Sequence, residues 1–296
     1  MKPDVAWDKQ ALLDAPLFAP LFDAIAALGA DGFPTLEALN ALLDGHGIAV
    51  EQGHVLHFVE QGVGRLAFEA QYEPRCYLTG GVQTRRDNWH DLLNALVWRV
   101  FPKSKAAINV RHYRALTGAD AAANTVNVGG GSQRGAVRDT NTLLDESGVI
   151  VACADVELAG LLRDFRWKEL FWQRREQVQG SASENPTARM GFYLFGHGLY
   201  EKALNPYIGM TGQGLLLPVA PEFFGWQRAR QLAHLDGLLA DYLANPDHCR
   251  STRELSPVPL LGVPGWAVQD ADFYDNTAYF RPGRRSAGGR SPGQAA

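Results

Sequence analysis

Leu17, Leu21, Ile25 and Leu28 recur at near-helical spacing, and the pattern predicts a helix whose start is constrained by Pro16 and Pro20. Thr35 is a candidate N-cap for a second helix, LEALNALL, which Gly45 closes. This helical element, residues 1–48, is expected to pack on the main body. Between Ala49 and Tyr77 the pattern changes: HVLHFVEQ and RLAFEAQYE flank Gly62-Val63-Gly64 and predict a β-hairpin. Asp87 or Asn88 then caps a helix with the stripe Trp89, Leu92, Leu93, Leu96, Val97 and Val100. Phe101-Pro102 ends it, and Pro102 suits the first turn of a following helix that carries Lys105, Asn109 and His112.

Ala121 to Gly135 reads as a loop by composition. Its run Gly129-Gly130-Gly131 matches neither GxxxxGK[ST] nor GxGxxG, so a phosphate cradle is not indicated. TNTLLDESGVIVACA predicts a second hairpin with Asp145-Glu146-Ser147-Gly148 as its turn. Asp155 caps a helix through Phe165, WKELFWQRREQV continues as another, and a third is expected from about Ala188 to Leu204 after a polar break. The last long helix starts near Pro221, with Leu232, Leu235, Leu239 and Leu243 as its stripe. The proline- and aromatic-rich segments after it are expected to be irregular, and the basic, Gly/Ser-rich residues 284–296 to be disordered. The fold class is therefore α+β: one predominantly helical domain over residues 1–283 with a small antiparallel sheet built from the two hairpins.

Composition changes this picture little. The 296 residues include 46% apolar and 20% charged residues, with a net charge of −4, so no basic field suggests a nucleic-acid partner. The longest uncharged stretch, Ala203 to Pro221, is broken by prolines and glycines and is no membrane span. Cys76, Cys153 and Cys249 are odd in number with no CxxC spacing, which favours a reducing compartment. With no apolar leader at the N-terminus, a cytoplasmic protein is expected.

Chemistry concentrates in two segments. In DNWHDLLNALVWRVFPKSKAAINVRH, the pair His90-Asp91 offers an imidazole and a carboxylate, with Asn94 four residues after His90 on the same flank. In FYLFGHGLYEKALNPYIGMT, His197 and Glu201 form an HxxxE pair on an expected helix face. His90, Asp91, His197 and Glu201 are candidates for acid–base catalysis, or for ligating one divalent metal with mixed N/O donors. Lys105, Asn109 and His112, spaced four and three apart, together with Arg138 and Asn94, are candidates for holding a small anionic substrate. The competing reading is a buried, hydrogen-bonded histidine between Gly196 and Gly198, with the polar helix faces fixing the fold. Asp145-Glu146 reads as an ordinary hairpin turn, and no nucleophile motif is present.

The motifs TRRDNWHDLLNALVWRVFPKSKAAIN, RDTNTLLDESGV, FGHGLYEKALNPYIGMTGQGLLL and LLGVPGW with FYDNTAYFRP, in that order, resemble the bacterial family known as domain of unknown function 3025 (DUF3025). The resemblance covers about Thr84 to Pro282. It implies a soluble bacterial protein and directs attention to the polar residues of these motifs without supplying a reaction. The resulting expectation is a hydrolase-type enzyme acting on a small anionic substrate through a His/Asp/Glu cluster between two helices. The alternative is a non-catalytic binding or scaffold protein.

Overall fold

The computed structural model describes residues 5–62, 64–118, 130–180, 185–267 and 269–283. Its strands are β1 (His57–Glu60), β2 (Gly81–Thr84), β3 (Gly148–Cys153), β4 (Val178–Gly180), β5 (Met190–Leu194), β6 (Thr211–Pro218) and β7 (Ser256–Pro259). The last five form one mixed sheet in the order β4-β5-β3-β6-β7. The central strand, GVIVAC, is buried at every position. It is apolar on both faces because both are covered by protein. β3 runs antiparallel to β5, with Val151 opposite Phe192, and parallel to β6, with Val151 opposite Leu216. β1 and β2 form a separate parallel pair.

The helices are α1 (Lys9–Asp14), α2 (Phe22–Ala27), α3 (Leu36–Ala41), α4 (Tyr72–Thr79), α5 (Trp89–Val100), α6 (Pro102–Thr117), α7 (Gly130–Ser147), α8 (Val156–Arg163), α9 (His197–Ala203) and α10 (Arg228–Ala244). Asn88 caps α5 by accepting from Asp91 N at 3.1 Å, and Thr35 caps α3 from Ala38 N. α6 is capped across the fold rather than locally: Asp236 of α10 accepts from Lys103 N and Ser104 N at 3.1 and 2.8 Å. That contact fixes α6 against α10 and satisfies donors its own sequence leaves open.

Neither expected hairpin forms. HVLHFVEQ supplies β1, but the second arm holds a short 3-10 turn (Phe68–Ala70) and runs into the start of α4, and β1 pairs in parallel with β2 across that crossover. Pro74 sits in the first turn of α4, where a missing N–H costs nothing, and Gly80 ends it at φ 76°. In the second expected hairpin the first arm is helical instead: it packs on α6 and α9, and Thr140 and Asn141 turn their side chains back onto the carbonyls of Ala136 and Val137, at 2.7 and 2.6 Å. These residues extend α7, and Asp145 and Glu146 lie in its last turn instead of in a hairpin turn. The sheet is therefore mixed rather than antiparallel. Gly130 and Gly131 begin α7, correcting the loop expected there; residues 119–129 and the tail 284–296 lie outside the described residues.

The helix expected over 188–204 is half strand. MGFYL is β5, and α9 starts only at His197. Aromatic and flexible apolar residues suited to a fully buried strand carry no period of their own, so helix and strand were indistinguishable there. β6, in the uncharged stretch for which no element was expected, and β7, in a segment expected to be irregular, complete the sheet. β7 tolerates Pro257 and Pro259 because it is an edge strand. No helix among the described residues is long and apolar enough to cross a membrane.

The junction of α7 with β3 contains no loop, and β5 turns into α9 directly over it. Phe195 N and Gly196 N both donate to Gly148 O, at 3.0 and 2.9 Å. A Cβ on Gly148 would lie 2.2 Å from Leu144 O, and one on Gly196 would lie 2.4 Å from Gly148 N. Both contacts are with backbone that has no room to move. Gly196→Ala is expected to destabilise the protein by at least about 2 kcal/mol through overpacking. Gly237→Ala, in α10 with nothing within 4 Å of the added methyl, should instead stabilise by about 0.5–1 kcal/mol. Urea unfolding of the two variants checks the contrast.

Candidate functional site

The crossing of the two glycines sets His197 against the last turn of α7. His197 is nearly fully buried, and its Nε2 lies 3.0 Å from Nε2 of His90, which α5 presents from the first turn after its Asn88 cap. The two rings meet edge to face, with centroids 4.5 Å apart. Glu146 Oε1 stands 3.5 Å from His197 Nε2 and 3.7 Å from His90 Nε2. Gly198 makes this approach possible: a Cβ there would lie 2.3 Å from Glu146 Oε2. The two histidines do converge from distant parts of the chain.

The outer nitrogens of both rings face carboxylates. His90 Nδ1 lies 3.0 Å from Glu201 Oε2, one helical turn beyond His197 on α9. His197 Nδ1 lies 3.7 Å from Asp145 Oδ2 and has no hydrogen-bond partner. Asp145 in turn takes a 2.5 Å contact from the buried Lys105 Nζ. Burial alone would raise the Asp145 carboxyl, but Lys105 beside it and the neighbouring His197 hold it below its ordinary value. Burial pushes the His197 imidazole down to about 3, so the ring is neutral near pH 7. Glu146 is raised, chiefly by burial, with Asp145 and Glu201 adding to the shift against the opposing charge of His90.

The tautomer with the proton on Nδ1 of each ring would leave both Nε2 atoms as acceptors, facing each other and Glu146 Oε1. Three atoms separated by 3.0, 3.5 and 3.7 Å share a point about 2.0 Å from each, the usual first-row metal–nitrogen and metal–oxygen distance. Among the described residues, His90, Glu146 and His197 are the group of potential ligands whose donor atoms lie close enough together to hold a metal ion. A carboxylate in the last turn of a helix also sits at the negative end of its dipole. α7 carries two there and no basic residue.

A cavity of about 330 Å³ opens beside this cluster. His90, Glu146 and His197 form one part of its wall; Tyr72, Glu73, Asn94, His112 and Arg138 form much of the rest. Asn94 donates to Tyr72 Oη at 2.7 Å, and its own Oδ1 is buried without a partner. Asp91, a candidate ligand by sequence, is instead clamped by Arg85 through Nε and Nη2, both at 2.8 Å, and by Arg85 N at 2.7 Å. Glu201 reaches His90 Nδ1 and so stands behind the ring rather than beside the meeting point. Lys105 and Asn109 are absent from the cavity wall. The first is committed to Asp145, and the second donates to Glu73 Oε2 at 2.5 Å and to Glu73 O at 3.0 Å. Arg138 makes no ion pair among the described residues.

The family model for the protein of unknown function DUF3025 matches residues 56–284, most of the chain. The chain belongs to the DUF3025 family. The match extends upstream of the motifs from Thr84 onward, and takes in β1, α4 and Glu73 as well as the two histidines. No curated protein and no solved structure matches the chain.

In this DUF3025 protein the cavity wall includes three acids outside the candidate set, Glu73, Asp145 and Glu146. Asp145-Glu146 is equally good turn chemistry, and the hairpin expected over RLAFEAQYE gives Glu73 no reason to face a site. Helical periodicity back from Gly148 is the signal that would have exposed Glu146. The three cysteines are free and buried, and burial raises the thiol of each, so none is an activated nucleophile.

Burial also pushes His112 down from 6.5 to about 4. As pH falls from about 6.5 toward 4, the unfolded chain takes up a proton that the folded state refuses, so stability is lost across that window. Burial acts oppositely on Glu73, whose carboxyl rises from 4.5 to about 7. There the folded state gains the proton first, and stability rises as pH falls between those values. The two slopes offset each other in the wild type. His112→Gln removes one of them, so its stability relative to wild type should improve by about 2 kcal/mol between pH 7 and pH 5, measured by urea unfolding at each pH.

Proposed function

We propose that the protein binds one divalent first-row metal ion through His90 Nε2, His197 Nε2 and Glu146 Oε1, and hydrolyses a small anionic substrate in the adjoining cavity. The observation that carries this reading is the convergence of His90 Nε2, His197 Nε2 and Glu146 Oε1, which lie 3.0, 3.5 and 3.7 Å from one another. A positive charge at their meeting point relieves the repulsion of the lone pairs and the dipole cost of Glu146 together. Two imidazoles and one carboxylate suit zinc, cobalt, manganese or iron, and three protein ligands leave positions for water and substrate. Glu201 behind His90, and Asp145 with Lys105 behind His197, would orient the rings as outer-shell partners do. The metal supplies Lewis acidity, and Arg138 offers the substrate's anionic group a partner. Three reduced, buried cysteines fit a cytoplasmic setting.

A second reading rests on the same 3.0 Å separation, which is also a hydrogen-bond length. With one proton between the rings, His90 and His197 form an acid–base dyad and need no metal.

Titration of chelator-treated protein with Zn²⁺ and Co²⁺ separates the two. The metal reading expects one equivalent bound, a rise in melting temperature, and Co²⁺ d–d bands typical of a low-coordinate N/O site. His197→Ala and Glu146→Gln should each abolish binding while the fold is retained by circular dichroism. If wild type takes up no metal, the metal reading is wrong. If in addition both variants lose the fold, the residues are a structural network.

Gly198→Ala provides a subtler check. The methyl displaces the Glu146 carboxylate without removing any ligand, and metal affinity should fall by about 10-fold or more, read by competition with a chromogenic chelator.

A further inference from the structure

Among the described residues, Glu73 is the one acid of the cavity wall that makes no ion pair. Asp91 is held by Arg85, Asp145 by Lys105, and Glu146 faces the two histidines. Glu73 begins the first turn of α4, which packs on α6, and Asn109 of α6 pins one side of it. The single Asn109 amide donates to both Glu73 Oε2 and the Glu73 main-chain oxygen. Oε1 makes no hydrogen bond among the described residues, and the residue lines the same cavity as His90, Glu146 and His197. A carboxyl on the cavity wall, held at one oxygen by Asn109 and with no hydrogen bond at the other among the described residues, can exchange a proton with a bound molecule.

We propose that Glu73 is the proton-carrying group of this site, taking a proton from water and returning it to the leaving group as a carbonyl substrate is hydrolysed. This rests on the metal-assisted hydrolysis proposed above and names its acid–base residue and substrate class. As the water oxygen bonds to the carbonyl carbon of an ester or amide, one water O–H breaks and its proton passes to Glu73 Oε1. As the bond from that carbon to the leaving oxygen or nitrogen breaks, the same proton moves to the leaving atom. Water is consumed, a carboxylic acid and an alcohol or amine are released, and Glu73 returns to its starting state.

The charges around the cavity favour a carbonyl centre over a phosphoryl one. Glu73, Asp91, Asp145 and Glu146 line it against Arg85 and Arg138, and Arg85 is already committed. Arg138, the one guanidinium of the wall in no ion pair among the described residues, matches a substrate with a single carboxylate, whereas the second charge of a phosphate dianion would find no further unpaired guanidinium there.

Several groups act on Glu73. Burial is the largest influence and raises its carboxyl to about 7; the Asn109 amide opposes this, Asp145 adds to it, and Lys105 and Arg138 oppose it. Tyr72 and Cys76 of α4 also face it. A group that changes protonation near neutrality exchanges a proton in both directions with little driving force lost.

The test uses the full-length protein in metal-free and Zn²⁺-loaded forms. Infrared difference spectra of the metal-free protein should show a protonated-carboxyl C=O band that disappears with a midpoint near pH 7. Glu73→Gln should lack it, and Asn109→Ser, which removes the donor to Oε2, should move the midpoint upward. In the Zn²⁺ form, acetohydroxamic acid serves as a carbonyl-mimicking probe that must give up a proton on binding. Calorimetry at about pH 8 in buffers of different ionisation enthalpy should find about one proton fewer released to solvent by wild type than by Glu73→Gln. Zinc stoichiometry should be the same in both.

A carboxyl that titrates only in the ordinary carboxylate range, or equal proton release from the two proteins, would overturn the assignment of Glu73. If zinc fails to bind to wild type, the metal reading falls instead. The infrared titration, with Asn109→Ser as its second variant, then still decides whether Glu73 holds a proton near neutrality.

Discussion

The arrangement of this protein depends on one close approach, the main chain of β5 passing over the junction between α7 and β3. Gly148 and Gly196 meet there with two hydrogen bonds to a single carbonyl and no room for a side-chain atom on either residue. The contact joins the central strand, its antiparallel neighbour and two helices at one point. Backbone atoms packed this tightly have almost no compliance, so side chains that leave the junction are held within narrow limits. His197 follows one glycine directly, and Glu146 precedes the other by two residues. Their separation is therefore set by main-chain packing rather than by the flexibility of either side chain.

Around that junction, charge is arranged in matched pairs that leave selected groups open. The Lys105–Asp145 pair is almost wholly excluded from water, a situation in which loss of either partner strands a buried charge and costs about 3–5 kcal/mol. Arg85 closes over Asp91 with the bidentate geometry that planar guanidinium favours. These pairs do not improve stability much over a well-packed apolar alternative. Their effect is to fix which acids are neutralised by protein and which remain available to a ligand, and the second group lies on the cavity wall.

Much of this was legible in the sequence, for identifiable reasons. The polar faces of α5 and α6 stood out because His90, Asn94, Lys105, Asn109 and His112 interrupt otherwise apolar helices; His90, Asn94 and His112 line the cavity, and Lys105 and Asn109 contact acids of its wall. The convergence of His90 and His197 was expected from residue type, but Glu201, expected beside His197, stands behind His90 instead. The misreadings share a cause, since short-range signals outvoted what the tertiary structure imposes. Asp-Glu-Ser-Gly is good turn chemistry, and TNTLL alternates like a strand, yet both belong to a helix that packs on α6 and on α9. Glu146 was missed because its significance depends on a contact with residues fifty positions away. Asp91 was overvalued because nothing in the sequence reveals that Arg85, six residues earlier, curls back onto it.

Asp145 and Glu146 are consecutive residues on a helix, so they point about 100° apart. The first looks toward Lys105 and the far edge of the His197 ring, the second toward its near edge and His90. One imidazole is thus gripped by neighbouring rungs of a single helix, and any twist of α7 about its axis would misalign both at once. An inserted or deleted residue within its final turns would swing the two acids away together. Lineages that vary the length of this helix are therefore constrained to do so toward its beginning, keeping the spacing counted backward from Gly148 intact.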